Sequence, residues 1–198
     1  MIYFWADTHF NHAGILKHCS GSRPWRTVRE MNAGLTERWN DTVLKENDEV
    51  WFLGDFAFKH PEGDDLGPLF WRLRGRKSIV VGNHDERNPP VLKLPWERVE
   101  KLVTFRLEGR RAELCHYPLE TWKGAHTGAL MLHGHSHGSL KRVIPHRYDV
   151  GADVFTAGPV SWETILEKAA ADTAYRPQDH HAEDHYTLMK MREEMSRL

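Results

Sequence analysis

Short apolar runs separated by polar turns recur along the first half of the chain, and each run predicts a buried strand. Residues 1–6, 50–53 and 78–81 are such runs, and each stops at a carboxylate or a glycine. Residues 28–39 and 66–73 repeat apolar side chains three or four positions apart, which predicts amphipathic helices. Alternating strands and helices are typical of a parallel sheet covered by helices.

The second half of the chain is mostly strand-like. Residues 101–108 and 111–116 flank a turn signal centred on Gly109, which predicts a hairpin. Residues 129–132 and 147–155 are further predicted strands. We therefore expect an α/β fold with two mixed sheets.

Capping residues mark two helix starts. Thr27 is followed three residues later by Glu30, the pattern of a capping box, and Ser161 precedes a segment that we expect to be helical as far as about Ala170. The remaining residues are polar. We predict one domain over residues 1–170 and a polar tail over residues 171–198 that includes a final helix.

Composition and charge narrow the class of protein. Among 198 residues, 27 are Lys or Arg and 28 are Asp or Glu, so no strongly basic field is available for long nucleic acids. Cys19 and Cys115 lie far apart, which disfavours a disulfide scaffold or a thiolate zinc site. No apolar run is long enough to span a bilayer, and the first residues do not resemble a signal peptide. We expect a cytoplasmic protein without a membrane partner.

Side chains that can bind metals follow five of the predicted strands. They are Asp7 and His9; Asp55; Asn83 with its neighbours His84 and Asp85; His116; and His135 with His137. Ligand sites in open α/β sheets collect beyond the carboxyl ends of the strands. Residues two apart in an extended segment point the same way, so Asp-x-His and His-x-His can each clamp an ion.

The chemistry of these donors indicates which ions they suit. Carboxylate, amide and imidazole groups without a thiolate suit Mn²⁺, Fe or Zn²⁺, and seven donors exceed the needs of one ion. Two ions about 3.5–4 Å apart can polarise a phosphoryl oxygen and generate hydroxide near neutral pH. Two divalent cations, two carboxylates and one hydroxide leave a charge of about +1, which favours an anionic phosphate substrate.

The ordered blocks D-x-H, G-D, G-N-H-D, H and G-H-x-H resemble the signature of the calcineurin-like metallophosphoesterase superfamily. Further segments resemble its compact bacterial and phage branch: Phe10-Asn11-His12, Arg23-Pro24-Trp25, His116-Tyr117-Pro118 and Pro159-Val160-Ser161. The resemblance covers roughly residues 1–167 and implies a metallophosphatase-like four-layer αββα sandwich, in which helices flank two mixed β-sheets.

The resemblance also implies a role for each residue that matches the signature. One metal ion is expected to be held by Asp7, His9, Asp55 and His137, and the other by Asp55, Asn83, His116 and His135, with Asp55 bridging. His84 matches a general acid beside the leaving-group oxygen, and Asp85 matches a carboxylate that orients its neighbours. The implied cofactors are two divalent ions, Mn²⁺ foremost, with Fe and Zn²⁺ as alternatives.

Three further residues lie near the motifs and are expected to contact substrate. His12 follows the first motif, and Arg23 and Arg87 could hold a phosphate through paired hydrogen bonds. For each of them, a solvated loop position is an equally open interpretation.

One departure from the superfamily pattern bears on the substrate. The phosphoprotein phosphatases of this superfamily place Asp-Arg three and four residues after the Asp of G-D, where this chain has Phe58 and Lys59. A carboxylate partner for the catalytic imidazole and a phosphate-binding guanidinium are therefore missing. This favours phosphodiesters or small nucleotide-like esters over phosphoproteins.

We expect a phosphoesterase in which metal-bound hydroxide attacks phosphorus while His84 protonates the leaving group. The alternatives are a phosphomonoesterase, a catalytically silent scaffold of the same fold, and a nuclease in which Trp25 and the basic residues 72–77 guide a strand. The expected partner is a small phosphate ester rather than a long nucleic acid, and the sequence indicates no protein partner.

Overall fold

The computed structural model describes residues 1–58 and 63–172, together with Met195. Within these residues the chain forms nine strands and six α-helices, several of them a single turn long. The strands are β1 (Ile2–Trp5), β2 (Glu49–Phe52), β3 (Arg76–Val80), β4 (Val99–Glu100), β5 (Leu102–Leu107), β6 (Arg110–Cys115), β7 (Leu130–His133), β8 (Arg147–Asp149) and β9 (Val160–Ser161). The helices are α1 (Ile15–His18), α2 (Val28–Thr42), α3 (Leu66–Arg72), α4 (Asn83–Glu86), α5 (Pro89–Leu92) and α6 (Trp162–Ala171).

The strands form two mixed sheets. The first has the order β4-β3-β2-β1-β9, in which only β9 runs antiparallel to its neighbour. The second has the order β5-β6-β7-β8, with β5 antiparallel to β6 and the other pairs parallel. The carboxyl ends of β1, β2 and β3 therefore share one edge of the first sheet, and those of β6, β7 and β8 share one edge of the second.

Alternating side chains of the strands separate two layers of core. On β1, Phe4 packs toward the second sheet in one apolar cluster, whereas Tyr3 and Trp5 pack in another cluster with helix α2. The cluster between the sheets also holds Phe105 of β5 and Leu130 of β7. This period of two is what a strand buried on both faces requires.

Helices cover the outer face of the first sheet, where Met31, Leu35 and Trp39 of α2 join α3 side chains. The outer face of the second sheet is covered, among the described residues, by a segment that includes the 3-10 helix Ala125–Thr127, with Trp122 in the same apolar cluster as Met131. The predicted sandwich of two mixed sheets with helices outside is confirmed.

Both predicted helix starts are confirmed. Thr27 Oγ1 accepts a hydrogen bond of 3.1 Å from the backbone N–H of Glu30, and Ser161 Oγ accepts one of 3.2 Å from Thr164. The side chain of Glu30 binds the N–H of Arg26 rather than that of Thr27, so the capping box is only half formed. The capping residues therefore mark where α2 and α6 begin.

The strand predicted over residues 147–155 is too long. Strand β8 ends at Asp149, whose carboxylate accepts hydrogen bonds from the backbone N–H groups of Gly138 and Gly151 and turns the chain. Strands β4 and β9, of two residues each, are too short for a pattern to reveal.

Two predictions lie outside the described residues: the tail beyond residue 172, except Met195, and the position of Lys59. None of the described helices is both long and apolar enough to cross a lipid bilayer.

Candidate metal centre

Two sheet edges bring the predicted metal-binding side chains together. The first sheet contributes Asp7 and His9 after β1, Asp55 after β2 and Asn83 after β3. The second contributes His116 after β6, and His135 and His137 after β7. Six of the seven lie in loops that follow the carboxyl ends of parallel strands, and Asn83 begins helix α4 just after β3, at the strand ends where they were predicted.

The distances between ligand-type atoms define two adjoining groups. In the first, Asp7, His9 and His137 each offer an atom within 4.8 Å of the others. In the second, Asp55, His116 and His135 do the same.

Asp55 links the two groups. Its Oδ2 atom lies 3.8 Å from His9 Nε2 and 3.4 Å from His116 Nε2. The side-chain oxygen of Asn83 lies 3.1 Å from both His116 Nε2 and His135 Nδ1. The four residues expected around each metal ion are therefore neighbours in space.

The backbone at these positions is unusual. Five of the seven residues have positive φ angles, a region that L-amino acids with side chains seldom adopt: Asp7 (55°), His9 (47°), Asp55 (59°), His135 (67°) and His137 (48°). Such a conformation costs on the order of 1–3 kcal/mol per residue and persists only where the surroundings impose it. Its concentration here indicates that the loops are shaped for the site rather than for local stability.

Close packing of glycines against the site holds the loops in place. A Cβ atom on Gly82 would lie 2.3 Å from Asp55 Oδ1, and one on Gly134 would lie 2.5 Å from Asp7 Oδ2. Only glycine lets these backbones approach the two carboxylates.

Asp85 ties two of the loops together. Its buried carboxylate accepts hydrogen bonds from the backbone N–H groups of Asp55 (2.7 Å), Phe56 (2.9 Å) and Gly82 (2.9 Å). Burial raises the pKa of Asp85 to about 6, although these N–H groups oppose the shift. Asp85 thus orients its neighbours and lies beneath the site, away from any substrate.

Asp153, which the sequence did not single out, orients one of the histidines predicted to bind metal. Its Oδ2 atom accepts a hydrogen bond of 2.6 Å from His137 Nδ1, which leaves Nε2 as the free ring nitrogen. Burial lowers the pKa of His137, but the bond to Asp153 outweighs it and the net shift is upward. A carboxylate that holds the second nitrogen of a ligating histidine is a common feature of metal sites.

Arg23 lies beneath the site, not at its opening. Its guanidinium donates to both carboxylate oxygens of Asp153 (2.9 Å each), to the backbone oxygens of Asp7 (2.6 Å) and Thr8 (2.8 Å), and to Met31 Sδ. These contacts occupy all five N–H groups of an arginine. The expectation that Arg23 binds substrate is therefore corrected: it anchors the first loop and neutralises Asp153.

His84 and His12 both contact the ring of Phe58. The Phe58 ring stacks on His12 with centroids 3.9 Å apart and contacts His84 at 4.5 Å. His84 Nε2 lies 3.9 Å from Asp55 Oδ2, and a third of the side chain is exposed. Burial lowers the pKa of both histidines, that of His12 to about 4. His12 therefore borders the site, and Arg87 is exposed at the end of the helix that begins after Gly82.

The residues present fit divalent cations. His9 is buried, and neither of its ring nitrogens has a hydrogen-bond partner. In the protein without metal, burial raises the pKa of Asp7 to about 7. The pKa of His116 rises to about 9, because contacts with Asp55 and Asp7 outweigh the opposing effect of burial. A bound cation would accept the lone pair of His9 and balance the charge of the buried carboxylates. These side chains therefore suit a divalent cation.

The basic residues 72–77 are not aimed at the site. They run from the end of α3 into the first residues of β3, and Asn83 follows the opposite end of that strand. Arg72 pairs with Asp64, Arg76 with Glu49 and Glu97, and the Lys77 ammonium is buried against backbone oxygens. Trp25 packs on helix α2, where a Cβ on Gly34 would lie 2.4 Å from its ring, with Arg38 on its face. These contacts give Arg72, Arg76, Lys77 and Trp25 structural roles away from the metal-binding side chains.

Comparison with known proteins places the chain among relatives of similar length. It is 31% identical over 172 residues to the uncharacterized protein MJ1445 of Methanocaldococcus jannaschii, an alignment that covers 84% of this chain and 89% of that one. It is 28% identical to the Gene 66 protein of Mycobacterium phage D29, over 78% of this chain and 88% of the phage protein. No protein-family model matches the chain.

One solved structure shares the fold. A protein of unknown function from Aquifex aeolicus, AQ665, superposes with a TM-score of 0.66 at 23% identity, over 84% of this chain and 98% of that one. The phosphoesterase YfcE of E. coli superposes with a TM-score of 0.40 at 16% identity, over 76% of this chain and 77% of that one. The AQ665 likeness establishes that the fold recurs in a second protein of almost the same extent.

Proposed function

The chain belongs to the same family as MJ1445, and we propose that it is a metal-dependent phosphoesterase. The observation that carries the proposal is the convergence of seven carboxylate, amide and imidazole side chains from five strand ends on two sheets. Structural packing alone gives no reason to bury His9 with two unpartnered ring nitrogens between two carboxylates. A centre for divalent cations explains both features.

The donor set indicates how the site would treat a phosphate ester. Two divalent cations, when bound, polarise the phosphoryl group and lower the pKa of water near them. Asp55 would bridge them, since it is the one carboxylate close to both groups of histidines. The backbone N–H of His135 donates to both carboxylate oxygens of Asp7. This contact fixes the position of Asp7, which we propose as a metal ligand.

His84 is the residue placed to transfer a proton. Its side chain is partly exposed beside Asp55, and its own backbone N–H donates to Asp55 Oδ1 at 2.9 Å. An imidazole at the rim of the site can reach the leaving-group oxygen of a bound ester and protonate it as the P–O bond breaks. We assign His84 as general acid on this position.

Phe58 supports a preference for diesters. Its ring contacts His84, and in sequence it stands at the position where the phosphoprotein phosphatases have a carboxylate. An apolar ring there offers nothing to the second ionised oxygen of a monoester and leaves room for the second ester group of a diester. The substrate class that best suits this site is therefore a phosphodiester or small nucleotide-like ester.

The test is turnover by the full chain with Mn²⁺, comparing bis(p-nitrophenyl) phosphate with p-nitrophenyl phosphate. We expect the diester to be hydrolysed faster, Asp55→Asn to abolish turnover, and His84→Ala to lower kcat by roughly 10²–10⁴-fold. Asp41→Asn and His18→Ala are matched controls, because both residues are exposed and outside the site. Wild-type inertness with every divalent metal, or unchanged rates in both site variants, would refute the proposal.

A further inference from the structure

Three arginines line a pocket at the end of the second sheet that lies away from the metal centre. They are Arg106 on β5 and Arg110 and Arg111 on β6, around the hairpin turn at Gly109. The pocket has a volume of about 150 Å³. Arg111 lies near the start of β6, and His116 follows the end of that strand five residues later. The pocket is therefore roughly 16 Å from the metal centre.

The charges around this pocket are unbalanced. Arg106 and Arg111 are direct cross-strand partners in the β5–β6 ladder, so two positive side chains lie opposite each other. Like charges in that position destabilise a sheet. Among the residues that the structure describes, none of the three arginines forms an ion pair with a carboxylate.

Arg111 is held in position by the segment that covers the sheet. Its Nη2 atom lies 3.3 Å from Thr127 Oγ1, to which it donates. The guanidinium also lies so close to Gly124 that a Cβ there would approach Nη2 to 2.1 Å. Gly124 has a φ of 78°, so glycine suits both the conformation and the contact.

One N–H group of this guanidinium has no acceptor. Its Nε atom is buried and makes no hydrogen bond. A buried donor without a partner is unfavourable, and native proteins keep few of them. Gly109 and Gly128 also line the pocket, and a Cβ atom added at either would meet no atom within 4 Å.

We propose that this pocket binds a phosphate dianion, either free or as the terminal phosphate of a small phosphomonoester. Planar guanidinium groups match the oxygens of phosphate through paired hydrogen bonds, and the side chains of Arg106 and Arg111 share one face of the sheet at this pocket. The carboxylate of Glu113, two residues after Arg111 on the same face, is buried and accepts a hydrogen bond from Thr104. A bound dianion would offset the repulsion between Arg106 and Arg111. The site is independent of the proposed phosphoesterase activity.

Binding in solution tests the proposal through thermal unfolding of the full chain at rising concentrations of inorganic phosphate and of AMP. A ligand that binds only the folded state raises Tm. We expect Arg111→Gln and Arg106→Gln to weaken the apparent affinity about tenfold, since each removes a charged hydrogen bond. Arg29→Gln is the matched control, because it makes the same charge change at an exposed position on α2.

The two ligands distinguish the sources of the phosphate. A response to inorganic phosphate identifies a free-phosphate site, and a response to AMP alone identifies a phosphomonoester site; either supports the proposal. The arginine variants keep any phosphate binding at the metal centre. Binding at the pocket is therefore read from the difference in apparent affinity between the wild-type protein and these variants. Arg111→Gln should also hydrolyse bis(p-nitrophenyl) phosphate at the wild-type rate, which keeps this test separate from that of the activity.

The position of the bound anion is checked by soaking crystals of the full chain in tungstate, a tetrahedral oxyanion that is visible by its anomalous scattering. We expect a peak within hydrogen-bond distance of Arg111 and Arg106, besides any at the metal centre. Equal affinities in the arginine variants and the control would overturn the proposal. So would the absence of a tungstate peak, or binding seen only with oligonucleotides and lost steeply with salt.

Discussion

The carboxylate of Asp153 accepts a 2.6 Å hydrogen bond from Nδ1 of His137 and, through both of its oxygens, accepts from the buried guanidinium of Arg23. One acidic side chain thereby sets the orientation of a proposed metal ligand and balances the charge beneath the site. Hydrogen bonds from His137 and Arg23 outweigh the effect of burial and hold the pKa of Asp153 well below its usual range.

Replacing Asp153 by Asn should weaken metal binding without removing a ligand. The amide keeps the shape but loses the charge that fixes the His137 ring, so we expect affinity for Mn²⁺ to fall by roughly 10- to 100-fold. Isothermal titration calorimetry measures this directly. Ser22→Ala removes only the hydroxyl that contacts Asp153, and serves as the milder control. Unchanged Mn²⁺ affinity in folded Asp153→Asn would contradict the assigned role.

Replacing Gly82 by Ala should disturb the centre through steric contact alone. Gly82 has φ −94° and ψ 173°, a conformation open to alanine, but the added Cβ would lie 2.3 Å from Asp55 Oδ1. Overpacking of this kind costs about 1–3 kcal/mol, which corresponds to about 10- to 100-fold in Mn²⁺ affinity where it displaces Asp55. Gly21→Ala is the matched control, since a Cβ added there would meet no atom within 4 Å. Equal affinities in the two variants would show that Asp55 is not held by Gly82.

Phe58 should govern catalysis by positioning His84. In Phe58→Leu the ring contact with His84 is lost, and we expect kcat for bis(p-nitrophenyl) phosphate to fall roughly 10- to 100-fold while Mn²⁺ affinity stays unchanged. Phe58→Tyr keeps the ring and should retain most of the activity. A parallel loss in Mn²⁺ affinity would instead indicate that Phe58 supports the whole loop.

Lys77 should make stability depend on alkaline pH. Its ammonium is buried and donates to the backbone oxygens of Leu73 (2.6 Å) and Gly75 (2.8 Å). Burial lowers its pKa from 10.5 to about 8, against the opposing effect of Glu46 and Glu97. Between these two pH values the unfolded chain binds more protons than the native one, so the free energy of unfolding rises with pH.

The size of this effect follows from the shift. We expect wild-type stability to gain up to about 3 kcal/mol relative to Lys77→Met between pH 8 and pH 10.5. Urea unfolding of both proteins across that range measures the difference, and other titrating groups cancel between them. Parallel stability curves would show that Lys77 titrates normally.

Much of this fold could be predicted because short apolar runs and capping residues act locally. The runs around Phe4, Trp51 and Ile79 each form a strand, and the loops after them carry the residues that were selected for their chemistry. The positions that follow parallel strands can be inferred from sequence, since strand ends share an edge whatever the details of packing.

The relationships that the sequence does not reveal join residues far apart in the chain. Asp153 lies 16 residues from His137 and 130 from Arg23, and no local pattern connects them. The sequence leads us to expect Arg23 at the substrate because it lies near the motifs and can pair with phosphate, with a solvated loop position as the alternative. Its burial depends on backbone oxygens of Asp7 and Thr8, whose directions are set by the left-handed turn after β1 and cannot be inferred from residue types.

The division of the donor groups between the two sheets has a mechanical consequence. Asp7, His9, Asp55 and Asn83 belong to one sheet, and His116, His135 and His137 to the other. Neither sheet alone offers a complete set of donors. Ions bound between the two sheets would therefore hold the sheets together. The two sheets would then separate only when the ions are lost. Added cations should therefore slow amide hydrogen exchange in both sheets.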